Sequence, residues 1–195
     1  MRDYLYPLLF FCTFLIFQCN SSPKNQTQTE SKIYNFRQQG WKSNKIIQLI
    51  NDISYSATEV PLQYYLLKNT QAEDLTTIDS LYELNKDERI IEIEFQHIDK
   101  KDLLLDSYTN KTYEDAVKYM AFQITNDFKV VTSSGDTINC SGSHFERNFK
   151  VAPFKRALLY FDNINPDDHI QLLYQDHLFG NGMIKFNFKD TPLKL

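Results

Sequence analysis

At 195 residues and 42% hydrophobic content the chain is long enough to bury a real core, and a formal charge of −4 with no basic block leaves nothing to grip phosphate. Nucleic acid is therefore not an expected partner. Aromatic residues are abundant, 12 Tyr and 15 Phe against 5 Gly, and such side chains sit best on half-buried pleated surfaces, so strands should dominate.

The first feature in chain order is an apolar run from Tyr4 to Phe17, preceded by Arg2. It falls short of the ~18 or more residues of a spanning helix and suits a signal-peptide core. No small-residue pair suits an ordinary signal-peptidase site near its end; Leu15-Ile16-Phe17-Gln18-Cys19 stands there instead. That string resembles the lipobox of bacterial lipoproteins, in which the cysteine becomes the lipidated first residue. Leu15, Ile16 and Cys19 fit, whereas Phe17 and Gln18 replace the usual small pair. The resemblance implies a signal peptide over 1–18, lipidation of Cys19, and attachment to a bilayer in the bacterial cell envelope, at the outer membrane. The alternatives are an uncleaved hydrophobic anchor or a plain secretory peptide with an incidental Cys19.

Residues 20–32, NSSPKNQTQTESK, contain no aliphatic or aromatic side chain and read as a tether, so 19–32 links the anchor to a single domain over 33–195. Removing 1–18 takes away Arg2 and Asp3 together and leaves the charge at −4. Cys12 goes with the signal and Cys19 with the lipid, so Cys140 has no disulfide partner and reads as a packed thiol.

Alternating runs predict strands at Lys45–Ile50, Ile53–Val60, Arg89–Ile98, Tyr119–Thr125, Phe128–Thr132, Thr137–Ser141, Arg156–Phe161, His169–Tyr174 and Met183–Phe188. In the third, Ile91, Ile93 and Phe95 share one face and Glu92, Glu94 and Gln96 the other. Asn51-Asp52 and Ser133-Ser134-Gly135-Asp136 read as hairpin turns, and 163–168 as a loop. Pro61 can open a short helix through Lys68. Thr70 with Glu73 forms a capping-box pattern ahead of a helix over Gln71–Leu84, and Thr112 caps one or two helical turns before Tyr119. Many short strands without regular strand-helix alternation predict a mainly β fold, an immunoglobulin-like antiparallel sandwich with one or two short helices at an edge or end. A partly open barrel is the alternative.

The stretch Tyr119 to Phe161 carries Asn126-Asp127, Gly135-Asp136-Thr137, Cys140, His144-Phe145-Glu146-Arg147 and Ala152-Pro153. In this it resembles a group of uncharacterised Gram-negative lipoproteins, with a weaker likeness over Ile53 to Asn69. The resemblance implies an anchored envelope domain with an immunoglobulin-like body and supplies no activity.

Candidate chemistry centres on Asp136, His144, Glu146 and Arg147. On an extended segment His144 and Glu146 share one face and Phe145 and Arg147 the other. An imidazole beside a carboxylate is an acid-base pair or two metal ligands; the bland reading is that Phe145 packs, Glu146 and Arg147 form ion pairs, and His144 lies in a sheet margin. A second cluster, Asp167, Asp168, His169, Asp176 and His177, spans a loop and both ends of one strand, and its two histidines are too far apart along the strand to share an ion. Gly180-Asn181-Gly182 reads as a turn, and Asp79-Ser80-Leu81 and Asp136-Thr137-Ile138 resemble a short O-glycosylation acceptor pattern. No nucleophile elbow, zinc helix or phosphate loop is present, so no cofactor is expected. The sequence thus favours a non-enzymatic binding or scaffolding module with an envelope protein or glycan partner, over a hydrolase or metal-dependent enzyme built on His144 and Glu146.

Overall fold

The computed structural model describes residues 45–70, 75–148 and 151–190. Residues 1–32, which include the expected signal peptide, Cys19 and the expected tether, lie outside them.

Among the described residues nine strands form two antiparallel sheets. The first has the order β1-β2-β3-β7-β6, built from β1 (Lys45–Ile50), β2 (Ile53–Val60), β3 (Arg89–His97), β7 (Phe154–Phe161) and β6 (Gly142–Glu146). The second has the order β5-β4-β8-β9, built from β5 (Thr137–Asn139), β4 (Phe128–Thr132), β8 (Ile170–Asp176) and β9 (Gly182–Phe188). The expected mainly β sandwich is therefore what the chain forms, and among the described residues neither sheet closes into a barrel.

Period-two alternation decides which face each strand buries. Tyr55, Ile91, Ile93, Phe95, Ala157, Leu159 and Phe161 of the first sheet join Phe128, Val130, Leu172, Tyr174, Ile184 and Phe186 of the second in one buried cluster. Aromatic rings bridge the layers: Tyr174 lies 5.5 Å from Phe95 and stacks on Phe128 at 4.5 Å. Glu92, Glu94 and Gln96 emerge on the outward face, as the alternation of β3 requires.

Local chemistry fixes the connections. Asn51 and Asp52 both have positive φ, 47° and 64°, the geometry that a two-residue hairpin needs to match strand twist. Gly135, at φ 97°, turns β4 into β5, and the Thr132 N–H closes that turn on the Asp136 carbonyl at 2.9 Å. Asn181, between β8 and β9, donates to the Tyr55 hydroxyl at 2.6 Å and accepts from Asn51 at 2.8 Å, so the turns of the two sheets are tied together.

Among the described residues three short α-helices accompany the sheets: α1 (Leu62–Asn69), α2 (Leu75–Asn85) and α3 (Tyr113–Phe122). Pro61 opens α1, where its carbonyl accepts from Tyr65 at 3.0 Å. Tyr65 then packs edge-on against Tyr160, hydroxyl to hydroxyl at 3.1 Å, which seats α1 over the outward face of the first sheet. Thr70 donates to the Leu66 carbonyl and closes α1; its capping-box partner Glu73 lies outside the described residues.

One sequence expectation is corrected. Tyr119–Thr125 is not a strand: α3 runs through it and passes into a 3-10 turn, Ile124–Asp127. The Thr112 hydroxyl accepts from the Asp115 N–H at 3.2 Å, Glu114 pairs with Lys118 at 2.9 Å, and Ala116, Tyr119 and Met120 recur at helical spacing into the core. The short-range aromatic alternation was weaker than that cap and period. Conversely, Gly142–Glu146 forms β6, a strand in its own right, paired with β7 through His144 opposite Leu158 and Glu146 opposite Arg156.

Asp176, 2% exposed at the end of β8, accepts from the hydroxyls of Tyr55 and Tyr174 and from the backbone N–H groups of Leu178, Phe179 and Asn181. Replacing it by Ala strands five donors, and urea unfolding of Asp176→Ala is expected to show a loss of roughly 3 kcal/mol or more. Thr112→Ala, which removes one exposed cap, should lose only about 1 kcal/mol in the same measurement.

Candidate functional site

Strand register assembles the candidate site. On the outward face of the first sheet, Lys45 pairs with Thr58, Thr58 with Glu92, Glu92 with Leu158, and Leu158 with His144. One residue from each of five strands thus forms a row across the whole sheet. The next row runs Ile47, Ser56, Glu94, Arg156, Glu146. With α1 standing over the sheet, the first row becomes the floor of a groove of about 440 Å³. Tyr64, Tyr65, Lys68 and Asn69 of α1 line one wall, and Glu146 lines the other side.

His144 and Glu146 do share a face and a groove, as the extended reading requires. They are not partnered with each other: the Arg156 guanidinium holds Glu146 at 3.5 Å, Glu92 at 3.5 Å and Glu94 at 2.7 Å. Burial opposes the charge on Arg156, yet the Glu94 hydrogen bond and the fields of Glu92, Glu94 and Glu146 outweigh it and keep the guanidinium charged. Partial burial is the main reason the Glu92 carboxyl titrates above the usual range; Arg156 pulls it down, and Glu94 and Glu146 push it up further. Only Glu94 has a short bond to Arg156, so Glu92 and Glu146 keep acceptor capacity toward the groove.

Arg147 faces the other way. It lines a cleft of about 350 Å³ between α3 and β6 with Tyr113, Val117, Phe122 and Phe145, and its charge lies close enough to act on the Tyr113 hydroxyl. Asp136 belongs to the β4–β5 turn of the second sheet, where Ser134 and Thr132 contact it. The four residues singled out in the sequence are thus divided among a groove, a cleft and a turn.

The second cluster is also dispersed. Asp168, its carboxyl held low by hydrogen bonds from Ser133 and Ser134, tethers the β4–β5 turn. Asp176 is the buried acceptor already described. His177, 60% exposed at its side chain, bonds through Nδ1 to Asp127 at 2.8 Å, and the Tyr119 hydroxyl donates to the same carboxylate at 2.5 Å. Burial raises the Asp127 carboxyl, against those two bonds. Cys140 points at the carbonyls of Gly142 and Tyr160, and burial pushes its thiol up to about 11, far from the thiolate a nucleophile needs. Among the described residues no three His, Cys, Asp or Glu side chains converge as metal ligands. Ser80 donates to the Thr76 carbonyl within α2.

No protein-family model and no curated protein matches this chain. Two solved structures share part of its shape. A DUF4426 family protein from Pseudomonas aeruginosa is 11% identical, with 77% of this chain and 97% of that one covered at a TM-score of 0.39. A novel protein of unknown function from Burkholderia pseudomallei is 10% identical, with 82% and 83% covered at a TM-score of 0.33. Likeness at that level carries no argument about role.

The raised Glu92 carboxyl has a definite linkage sign. A carboxyl whose folded pKa lies above its unfolded value contributes stability that is present at low pH and is lost as pH rises through the folded pKa. Glu92→Gln, which mimics the protonated form, should therefore shift Tm more favourably at pH 7 than at pH 4. Thermal unfolding of both proteins at the two pH values checks this.

Proposed function

We propose that the chain is a lipoprotein of the bacterial cell envelope, held at the outer membrane through acylated Cys19, whose sandwich is a non-enzymatic binding module. The observation that carries the binding reading is the groove across the outward face of the first sheet, with a floor drawn from five strands and a wall from α1. It is concave, and it mixes aromatic, hydroxyl, amide and charged side chains, as a recognition surface does. The acid-base alternative needs His144 and Glu146 as a working pair, and Glu146 instead stands beside Arg156. The anchor rests on Leu15-Ile16-Phe17-Gln18-Cys19 and on the polar run after it, which can carry a folded body clear of the headgroups.

Labelling cells with an alkyne-tagged palmitate tests the anchor: wild type should carry label and sediment with membranes, and Cys19→Ser should lose both. A Cys19→Ser protein that keeps its label overturns the lipid assignment. For the binding module, a photo-crosslinking residue placed at Thr58 in the groove should trap a discrete envelope partner in intact cells. The same residue at Met183, exposed on the second sheet, should not. Equal capture from both positions, or none from Thr58, counts against the groove as the working surface.

A further inference from the structure

We infer that this groove takes a linear oligosaccharide of neutral or N-acylated sugars, lying across the strands from Lys45 to His144; the inference rests on the binding-module reading above.

The first argument is shape. Lys45 stands on one outer strand of the sheet and His144 on the other, so the floor crosses four inter-strand spacings, about 19 Å at ~4.8 Å each. A trough of that length suits an extended chain molecule of several units better than one compact metabolite. The second argument is the backbone. A sheet face, unlike a sheet edge, has its N–H and C=O groups committed to the ladders, here β1–β2, β2–β3, β3–β7 and β7–β6. A peptide that adds to a sheet as a further strand does so through main-chain hydrogen bonds, and a face offers none. Sugar hydroxyls donate and accept, so side chains alone satisfy them.

The side chains present are of that kind. Glu92 and Glu146 keep acceptor capacity toward the groove because Arg156 reaches each only at 3.5 Å. Thr58, Asn69 and His144 can each donate or accept, and Lys45 and Lys68 donate. Tyr64 and Tyr65 give the α1 wall aromatic surface against which the C–H faces of a pyranose can lie, and Leu158 and Val60 complete an apolar strip. The charge is the third argument. Two lysines against two glutamates leave the lining near neutral apart from His144, so neither a polyanionic nor a polycationic glycan has an electrostatic advantage.

The test uses the full chain, isotopically labelled and held in detergent micelles, titrated with the tetrasaccharide of N-acetylglucosamine while backbone amide shifts are followed by NMR. The expected result is saturable shifts at Thr58, Glu92, Leu158, His144 and residues 64–69, with the second sheet unmoved. Tyr64→Ala should weaken the interaction about tenfold, as loss of an aromatic anchor does. Thr58→Trp, which puts a bulky ring on the floor beside Glu92, should abolish it, and an unchanged thermal melt for either variant separates lost binding from lost fold. Absence of shifts with the tetrasaccharide while an alanine pentapeptide or a heparin tetrasaccharide perturbs the same residues overturns the assignment to neutral or N-acylated sugars and leaves the binding-module reading standing. Silence of the groove toward all three overturns both.

Discussion

The sandwich depends on a buried carboxylate. Asp176 sits at the end of β8 where the two sheets meet, and its two oxygens take hydrogen bonds from Tyr55 of the first sheet, Tyr174 of the second, and three N–H groups of the turn toward β9. A charge 2% exposed is tolerated because every side of it is met by a donor, and the same bonds that satisfy it join the layers. Burial drives the hydroxyls of Tyr55 and Tyr174 far above the ordinary tyrosine range, so both remain donors at any physiological pH. Around this point cluster Phe95, Phe128 and Phe179, so the polar hub is packed among aromatic rings.

A second buried polar tie holds the opposite side of the first sheet. Arg89 and Glu59, 3% and 2% exposed, pair at 2.7 Å, and the same guanidinium reaches the carbonyls of Asn165, Pro166 and Asp168. The β7–β8 loop is thereby bound to β3, and Asp168 in turn grips the serines of the β4–β5 turn. Lys155, also buried, does the equivalent for the segment before α3 by pairing with Asp102 at 3.0 Å. Each tie fastens an irregular segment to a strand.

Much of this was legible in the chain. The strand at Arg89, with isoleucines and phenylalanine inward and glutamates outward, reads directly from period-two alternation, and Asn51-Asp52 announces its hairpin because those two side chains tolerate the left-handed backbone it needs. Tyr119 misleads because aromatic residues suit strands, and only the cap at Thr112 and the spacing of Ala116, Tyr119 and Met120 reveal a helix. His144 and Glu146 stand out as polar types on an extended segment, whereas Thr58, Glu92, Leu158 and Arg156 look like ordinary strand residues. They become neighbours through inter-strand register, which is a property of pairing between distant segments and has no local signal. Arg156, 10 residues beyond Glu146 in sequence, is its directly opposed partner across the β6–β7 ladder; the nearer Arg147 points to the other face.

The floor of the groove takes a single side chain from each of five strands, and every one of those side chains points away from the core. Recognition and folding are therefore written on alternate letters of the same segments. A substitution at Thr58 or His144 alters what the surface meets without opening a void among Tyr55, Ile93 and Leu159, so selection can edit the surface one position at a time while the scaffold stays constant. Such a face can diverge quickly among descendants of a common ancestor, until pairs that share a core pattern retain little else by which their kinship could be seen.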